Sequence, residues 1–387
     1  MVRVEFAAMS VLLSNESNVI HPLKTETVSM HSKRLLAAIL FLSITSLASA
    51  QDDSYQTSQS EICSLSSWND PCPPVYAQVG ALFLQRTPQF SNQPIVTDPT
   101  ANSTLLSTSD LQFGIDPGLQ ATVGMRTNGG RTIELDYFGL YQGTASAAAL
   151  APDPNAFLTF PDNLAGNVFV DMDEVFANYS SSVQSVAVNL LSCFGSCNAT
   201  CDGCDSCDGY GSGSASCRSL SWFAGFRYLN VGERLDLQAQ RNDINGLETG
   251  SYNIRTSNNL YGAQVGSRIR RTQGRFGWDG TGFGGIFGND AQQTQSVTDF
   301  PNFALRPTVS SSQGGAAFVG GGNLSGLYQF NNVWNLRVGY NVMLIEGLAL
   351  APDQLDYDFA AAQGGTQLNN DGGMFLHGAN IGLAANW

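Results

Sequence analysis

The chain has 387 residues, of which 13% are charged and 41 are glycine, a profile far from the ~25% charge of ordinary soluble domains. Its formal net charge of −14 argues against a protein built to hold nucleic-acid phosphates. Few charges and many small residues suit a barrel whose outer solvent is lipid and whose strands curve around a crowded lumen.

In chain order, His31-Ser32-Lys33-Arg34 is a basic start, Leu35 to Leu47 an apolar run, and Ala48-Ser49-Ala50 a small-residue cleavage site. This predicts a secretory signal peptide over residues 1–50, cut after Ala50, with the natural start at Met30 and an over-extended stretch before it. The apolar run falls short of the ~20 residues that a spanning helix needs. Its loss removes Glu5, Glu16 and Glu26 but also Arg3, Lys24, Lys33 and Arg34, so the remainder is one charge more negative. Beyond residue 50 no comparable apolar run occurs, and membrane residence therefore requires a barrel.

Residues 51–74 read as a short polar N-terminal segment, and the barrel is expected over 75–387. Val75 to Arg86 is a first apolar strand, and Pro88 to Pro117 is loop-like. Leu119 to Arg126 and Arg131 to Tyr141 form a hairpin across Asn128-Gly129-Gly130. Ala121, Val123, Met125, Ile133, Leu135 and Tyr137 share one face of it, and Arg126, Glu134 and Asp136 share the other. Asn167 to Ala177 and Ser182 to Ser192 are two further candidate strands. Trp222, Ala224, Phe226 and Tyr228 then face one way; after a turn placed at Gly232, Leu235, Leu237 and Ala239 oppose Arg234, Asp236, Gln238 and Gln240. Tyr261, Ala263, Val265 and Ile269 oppose Gln264, Arg268 and Arg270, and Phe276 to Phe287 is a glycine-rich return. Phe318 to Tyr328 is another strand, and in the next Trp334, Leu336, Val338, Tyr340, Val342 and Leu344 oppose Asn335, Arg337 and Asn341.

The chain closes on its clearest strand. Phe375, His377, Ala379, Ile381, Leu383, Ala385 and Trp387 alternate with Leu376, Gly378, Asn380, Gly382, Ala384 and Asn386, an apolar side against a small or polar one. The whole predicts an all-β, transmembrane antiparallel up-and-down β-barrel of about 12 strands, between roughly 10 and 14, each near the ~9 to 11 residues that cross a bilayer at a tilt. Arg126, Glu134, Asp136, Arg227, Arg234, Asp236, Arg268, Arg270 and Arg337 are the expected lumen lining, six arginines against three acids, giving a locally positive inner wall and a mild anion preference. A soluble sandwich would alternate equally well, with the same charges on its solvent side.

Four stretches together carry a family resemblance: Gly225-Phe-Arg-Tyr-Leu-Asn-Val-Gly-Glu-Arg-Leu-Asp-Leu237, Asn259-Leu-Tyr-Gly-Ala-Gln-Val-Gly266, Val338-Gly-Tyr-Asn341 followed by Ala351-Pro-Asp-Gln-Leu-Asp356, and His377-Gly-Ala-Asn-Ile-Gly-Leu383. In their order and spacing they resemble the planctomycete outer-membrane β-barrel porin family seven, from Val75 to Trp387. The resemblance implies an outer-membrane barrel and brings no catalytic residues. It also implies that Ile381, Leu383, Ala385 and Trp387 form a terminal insertion signal read by the barrel insertion machinery. The aromatic pair usual in the first strand is Phe83-Leu84 here, and the basic residue usual before Pro352-Asp353-Gln354 is Ala351.

Residues 193–217 form a Cys-rich loop insert. Cys193, Cys197, Cys201, Cys204, Cys207 and Cys217 sit in a Gly/Ser-rich tract whose spacing would also suit zinc or an iron-sulfur cluster. An exported protein meets an oxidising envelope, which favours disulfides, with Cys63 and Cys72 as a further pair. No metal or cofactor is expected. Gly280-Thr-Gly282-Phe-Gly-Gly285 matches a dinucleotide fingerprint by letters alone, with no helix pattern after it. After residue 50 the sole histidine is His377, whose parity with Trp387 turns it away from the lumen, so no enzyme is expected. Three functions remain open at this stage. The first is an outer-membrane barrel in contact with outer-membrane lipid, passing small polar solutes or structuring the membrane. The others are a secreted β-sandwich acting in adhesion and a barrel hydrolase.

Overall fold

A computed structural model describes residues 72–387 apart from 100, 102, 153–156, 162–166, 199–215, 244–245 and 359–363. The expected signal peptide, residues 51–71, Cys63, Cys201, Cys204 and Cys207 lie outside the described residues. Twelve strands follow in order: β1 (Val75–Gln89), β2 (Pro94–Asp98), β3 (Ser103–Ser107), β4 (Ile115–Arg126), β5 (Arg131–Leu150), β6 (Glu174–Asn198), β7 (Ser216–Asp243), β8 (Gly246–Gln273), β9 (Phe276–Asp299), β10 (Phe303–Gln329), β11 (Trp334–Leu348) and β12 (Gly372–Asn386). Ten close into one antiparallel barrel in which β1 joins β12 on one side and β4 on the other, while β2 and β3 make a separate hairpin. A closed ring has no second sheet to stack on, which removes the sandwich reading.

The terminal alternation sets the closure. Ala81 pairs with Ile381 and Phe83 with Ala379, so the apolar sides of β1 and β12 share the outer wall. The turn at Asn128-Gly129-Gly130 links β4 to β5, with Gly130 at a φ of 75°, a conformation that costs glycine nothing. On this side of the barrel, where β1 begins and β12 ends, β8–β9 and β10–β11 also join by short turns. The opposite side carries the long connections 90–114, 151–173 and 349–371, which include β2, β3, the α-helical turn α1 (Asn167–Val170) and 3-10 turns at Thr108–Asp110 and Ala351–Gln354.

Strand length decides what the wall meets. β7 has 28 residues; at about 3.3 Å per residue and a tilt near 40° it rises roughly 70 Å, more than twice the ~25 Å apolar band of a membrane barrel. Its outer face changes accordingly. From Leu220 to Tyr228 that face is apolar, with Trp222 and Phe226 more than half exposed. From Asn230 onward it is polar through Arg234, Asp236, Gln238 and Gln240, and the buried partners on the inner face are Leu229, Val231, Leu235, Leu237 and Ala239. β8 behaves alike, with Tyr261 and Val265 outside on one half and Tyr252, Ile254 and Leu260 inside on the other.

This exchange corrects the sequence expectation at Gly232. There is no turn: β7 pairs with both β6 and β8 without a break from Ser216 to Gln240. The apolar stripe moves from the outer to the inner face at Leu229, where protein packed inside the barrel begins to cover it. Arg234 and Asp236 therefore lie on the outer face, ion-paired at 2.5 Å, not in the lumen. The same continuity lowers the barrel to ten strands: β6 is one strand where two were expected, and β5 runs on to Leu150 past a bulge between Leu140 and Gly143.

Inside, two apolar layers fill the barrel. One joins Leu82, Leu84, Phe138, Leu229, Leu260, Phe287, Ile345 and Leu376 at mid-height. The other joins inner faces of β5–β9 to Ile95, Leu106, Phe113, Leu158, Phe160 and Phe169 from the long connections. Between them Arg86 ion-pairs with Glu233, both almost fully buried, and donates to the Tyr179 hydroxyl at 2.7 Å. Such a pair resists removal of one partner, which would leave an uncompensated charge in a dry interior.

Phe226→Arg, on the lipid face, is expected to cost about 2 to 4 kcal/mol of barrel stability. Leu237→Arg, in the inner core, is expected to abolish assembly, and Gln238→Arg to be neutral. Heat-modifiable mobility on gels measures all three; failure of Gln238→Arg alongside Phe226→Arg would mean that lipid covers the whole strand.

Candidate functional site

The strand ends on the side where β1 begins and β12 ends enclose a polar chamber of about 180 Å³, walled by residues from all ten strands of the barrel. Alternation supplies its groups, since every second residue of these strands points inward. Three arginine–carboxylate pairs organise it. Arg268 on β8 reaches Glu134 on β5 at 2.9 Å, a bond that crosses the lumen because two strands separate them in the wall. Tyr76 also donates to Glu134, as does the Asn189 amide at 3.4 Å. Arg227 donates to Gln264 and Ser185, each at 2.7 Å, and lies 3.4 Å from Asp136; its guanidinium covers the Phe283 ring at 4.7 Å. Arg337 grips Asp279 with two bonds of 2.6 and 2.7 Å, the bidentate geometry that fixes orientation as well as charge.

The expected lining residues divide three ways. Glu134, Asp136, Arg227, Arg268, Arg270 and Arg337 face the chamber. Arg126 is exposed at its rim, donating to the Cys72 carbonyl at 3.3 Å. Arg234 and Asp236 sit outside, for the reason given above. Asp279, absent from the expectation, is inside, so four arginines face three acids among the described residues and the wall is close to balanced. Asp279 was hidden in a glycine-rich run, although its place directly after the outward Trp278 turns it inward.

The chamber's inner end is floored by Leu84, Phe138, Phe283 and Met343. Beyond that floor, the connection after β11 turns into the lumen. Gly347, at a φ of 84° in a bulge, makes this bend; a Cβ there would stand 2.5 Å from the Ala316 carbonyl oxygen. The Asn258 side chain then mimics a strand, donating to the Ala349 carbonyl and accepting from its N–H at 2.9 and 2.8 Å. Glu233 accepts from Ala351 N–H at 2.8 Å, and Gln295 donates to the Gln354 carbonyl at 2.8 Å. Leu350, Ala351, Pro352, Asp353 and Gln354 are all buried. The motif Ala351 to Asp356 is thus an inward constriction, anchored through backbone groups, and the missing basic residue at Ala351 is not needed for that hold.

Two other expectations meet the structure here. Cys72 is bonded to Cys193, which replaces the expected Cys63–Cys72 pair and ties the start of β1 to β6. Cys217 is disulfide-bonded as well. His377 stands on the outer face, 2.8 Å from the Tyr340 hydroxyl through Nδ1 and away from the chamber acids. Among the described residues no group of three or more His, Cys, Asp or Glu side chains could hold a metal.

The family model described as "Putative beta barrel porin-7 (BBP7)" matches residues 102–299. Comparison with curated proteins finds no match. Among solved structures, the chain is similar to the toluene transporter TodX of Pseudomonas putida, at 8% identity and a TM-score of 0.24 over 83% of this chain and 93% of that one. It is similar also to a FadL homologue of Pseudomonas aeruginosa, at 8% identity and a TM-score of 0.21 over 83% and 93%. Scores this low carry nothing about function.

The constriction contains one group with a displaced titration. Burial pushes the Asp353 carboxyl up to about 6, with Glu233 and Asp371 acting in the same direction and the Ser91 N–H bond opposing them. Docked, Asp353 binds its proton more tightly than it would in water, so docking is strongest below about pH 4 and weakens as pH rises to about 6. Hydrogen exchange of residues 349–358 should therefore show protection falling across that window and level above it. Asp353→Asn should flatten the profile; protection that rises with pH in the unmutated protein would contradict it.

Proposed function

The chain belongs to the beta barrel porin-7 family, and from that premise we propose that this outer-membrane barrel passes small polar solutes through the chamber, with residues 349–358 as an internal gate. The observation that carries this reading is the charged, hydrogen-bonded chamber inside a wall whose outer face is apolar over one membrane's height. Paired arginines and carboxylates present both signs to a solute while keeping each charge compensated, and the near balance of four to three removes the mild anion preference that six arginines against three acids implied. A ten-stranded barrel is little wider than the eight-stranded ones that side chains alone fill, so passage requires the gate to move.

Further parts of the proposal come from the sequence. Export uses the signal peptide, cut after Ala50, and the envelope keeps the cysteines oxidised. Outer-membrane lipid covers the apolar band, and the insertion machinery reads Ile381, Leu383, Ala385 and Trp387; Ile381 and Leu383 are exposed on the outer wall. A catalytic role finds little support, since His377 neighbours Tyr340 and Phe375 on the lipid side. A second reading, a closed barrel that only structures the membrane, is favoured by the fully buried layer at Leu82, Leu229, Leu260 and Ile345.

Planar-bilayer recording on purified protein separates the two. Passage predicts small, infrequent openings for the unmutated protein and a several-fold larger conductance when residues 351–371 are replaced by a short turn. Silence from both proteins, each shown to be assembled, would overturn passage and leave the structural reading.

A further inference from the structure

On β7, β8 and β9 the outward carboxylates stand at one end of the wall only, where Arg234 and Arg255 accompany them. Among the described residues, the lipid-facing positions of β7 from Leu220 to Tyr228, of β8 from Tyr261 to Ile269 and of β9 from Phe276 to Ile286 carry no charge. At the chamber end of that band stand Arg218 on β7, Arg271 on β8 and Arg275 in the β8–β9 turn, all exposed. Outward carboxylates on these strands, Asp236 and Asp290, lie at the opposite end. Arg218 and Arg271 are direct cross-strand partners. Like charges so placed destabilise a sheet unless a counter-charge sits between them, and no described ion pair supplies one.

The neighbours of the pair define what that counter-charge is attached to. One step into the apolar band, Leu220 and Ile269 are again direct partners, followed by Ala224 opposite Val265. Trp278 is the cross-strand partner of Arg271, and Trp278, Phe276 and Trp222 are all well exposed. Indole rings at this level mark the headgroup depth of a bilayer. Guanidinium forks match phosphate oxygens in geometry and charge. An apolar strip running from the pair into the hydrocarbon matches acyl chains rather than a free anion.

We propose that Arg218, Arg271 and Arg275 form a site on the outer wall for the phosphate headgroup of an anionic phospholipid, whose acyl chains lie along Leu220, Ile269 and Val265. The site rests on membrane residence of the barrel and is independent of whether the lumen conducts. It relieves the Arg218–Arg271 repulsion and fixes the depth at which the wall sits.

Native mass spectrometry of the detergent-solubilised full chain, titrated with phosphatidylglycerol or phosphatidylcholine, tests it. The unmutated protein should retain phosphatidylglycerol in clear preference. Arg218→Gln, Arg271→Gln and Arg275→Gln combined should weaken that binding at least about 10-fold, since each basic side chain near an anionic surface contributes on the order of 1 kcal/mol. The corresponding triple lysine variant should keep most of it, and Arg234→Gln with Arg255→Gln, beyond the apolar band, should change nothing. If the triple glutamine variant fails to assemble, Arg218→Gln and Arg271→Gln singly should each show a several-fold loss. Equal retention of the two lipids, undiminished binding in the glutamine variants, or displacement of the lipid by millimolar inorganic phosphate would each overturn the proposal.

Discussion

The barrel depends on one requirement: each strand must bury an apolar face, and the medium that buries it changes along the strand. Over the half where β1 begins and β12 ends, the outer face is apolar, and the inner face is free to be polar. Over the other half, water meets the outside, and the apolar residues must turn to the inside, where the long connections pack on them. A regular strand cannot rotate its side chains to suit, so the sequence changes instead, and Tyr228 outside gives way to Leu229 and Val231 inside with no break in pairing. Both apolar layers, the polar chamber and the inward constriction follow from that exchange.

Electrostatics follows the same division. In the chamber, arginines and carboxylates are shared among hydrogen-bond donors, because charges in a confined lumen are stable only when compensated. Deeper, Arg86 and Glu233 are matched one to one and spend the remaining acceptor capacity of Glu233 on Tyr179 and the Ala351 N–H. The constriction is therefore attached to the most buried ion pair of the barrel. Bonds from Asn258 and Gln295 to its backbone make the attachment insensitive to side-chain identity at Ala351.

Much of this was legible in the sequence, and the failures share one cause. The closing strand, the hairpin at Asn128 to Gly130 and the facing of Glu134, Asp136, Arg227, Arg268, Arg270 and Arg337 follow from alternation together with an apolar exterior. Arg234 and Asp236 were misplaced because the rule that apolar means outward stops holding above Asn230, and alternation itself carries no mark of where lipid ends. The surplus strand boundaries came from the same source: a switch of apolar face looks like a turn. Asp279 was missed among glycines that weaken the alternation on β9. The constriction was beyond reach, since burial of Leu350 to Gln354 depends on distant partners such as Asn258 and Glu233.

The exchange of apolar faces along β7 is most directly tested by photo-cross-linking to lipid. A photoreactive phenylalanine analogue placed singly at Trp222, Phe226, Arg234 and Gln238, in protein reconstituted into bilayers, samples four outward positions of one strand. The first two should cross-link to phospholipid and the last two should not. Lipid adducts of equal yield at all four would contradict the account.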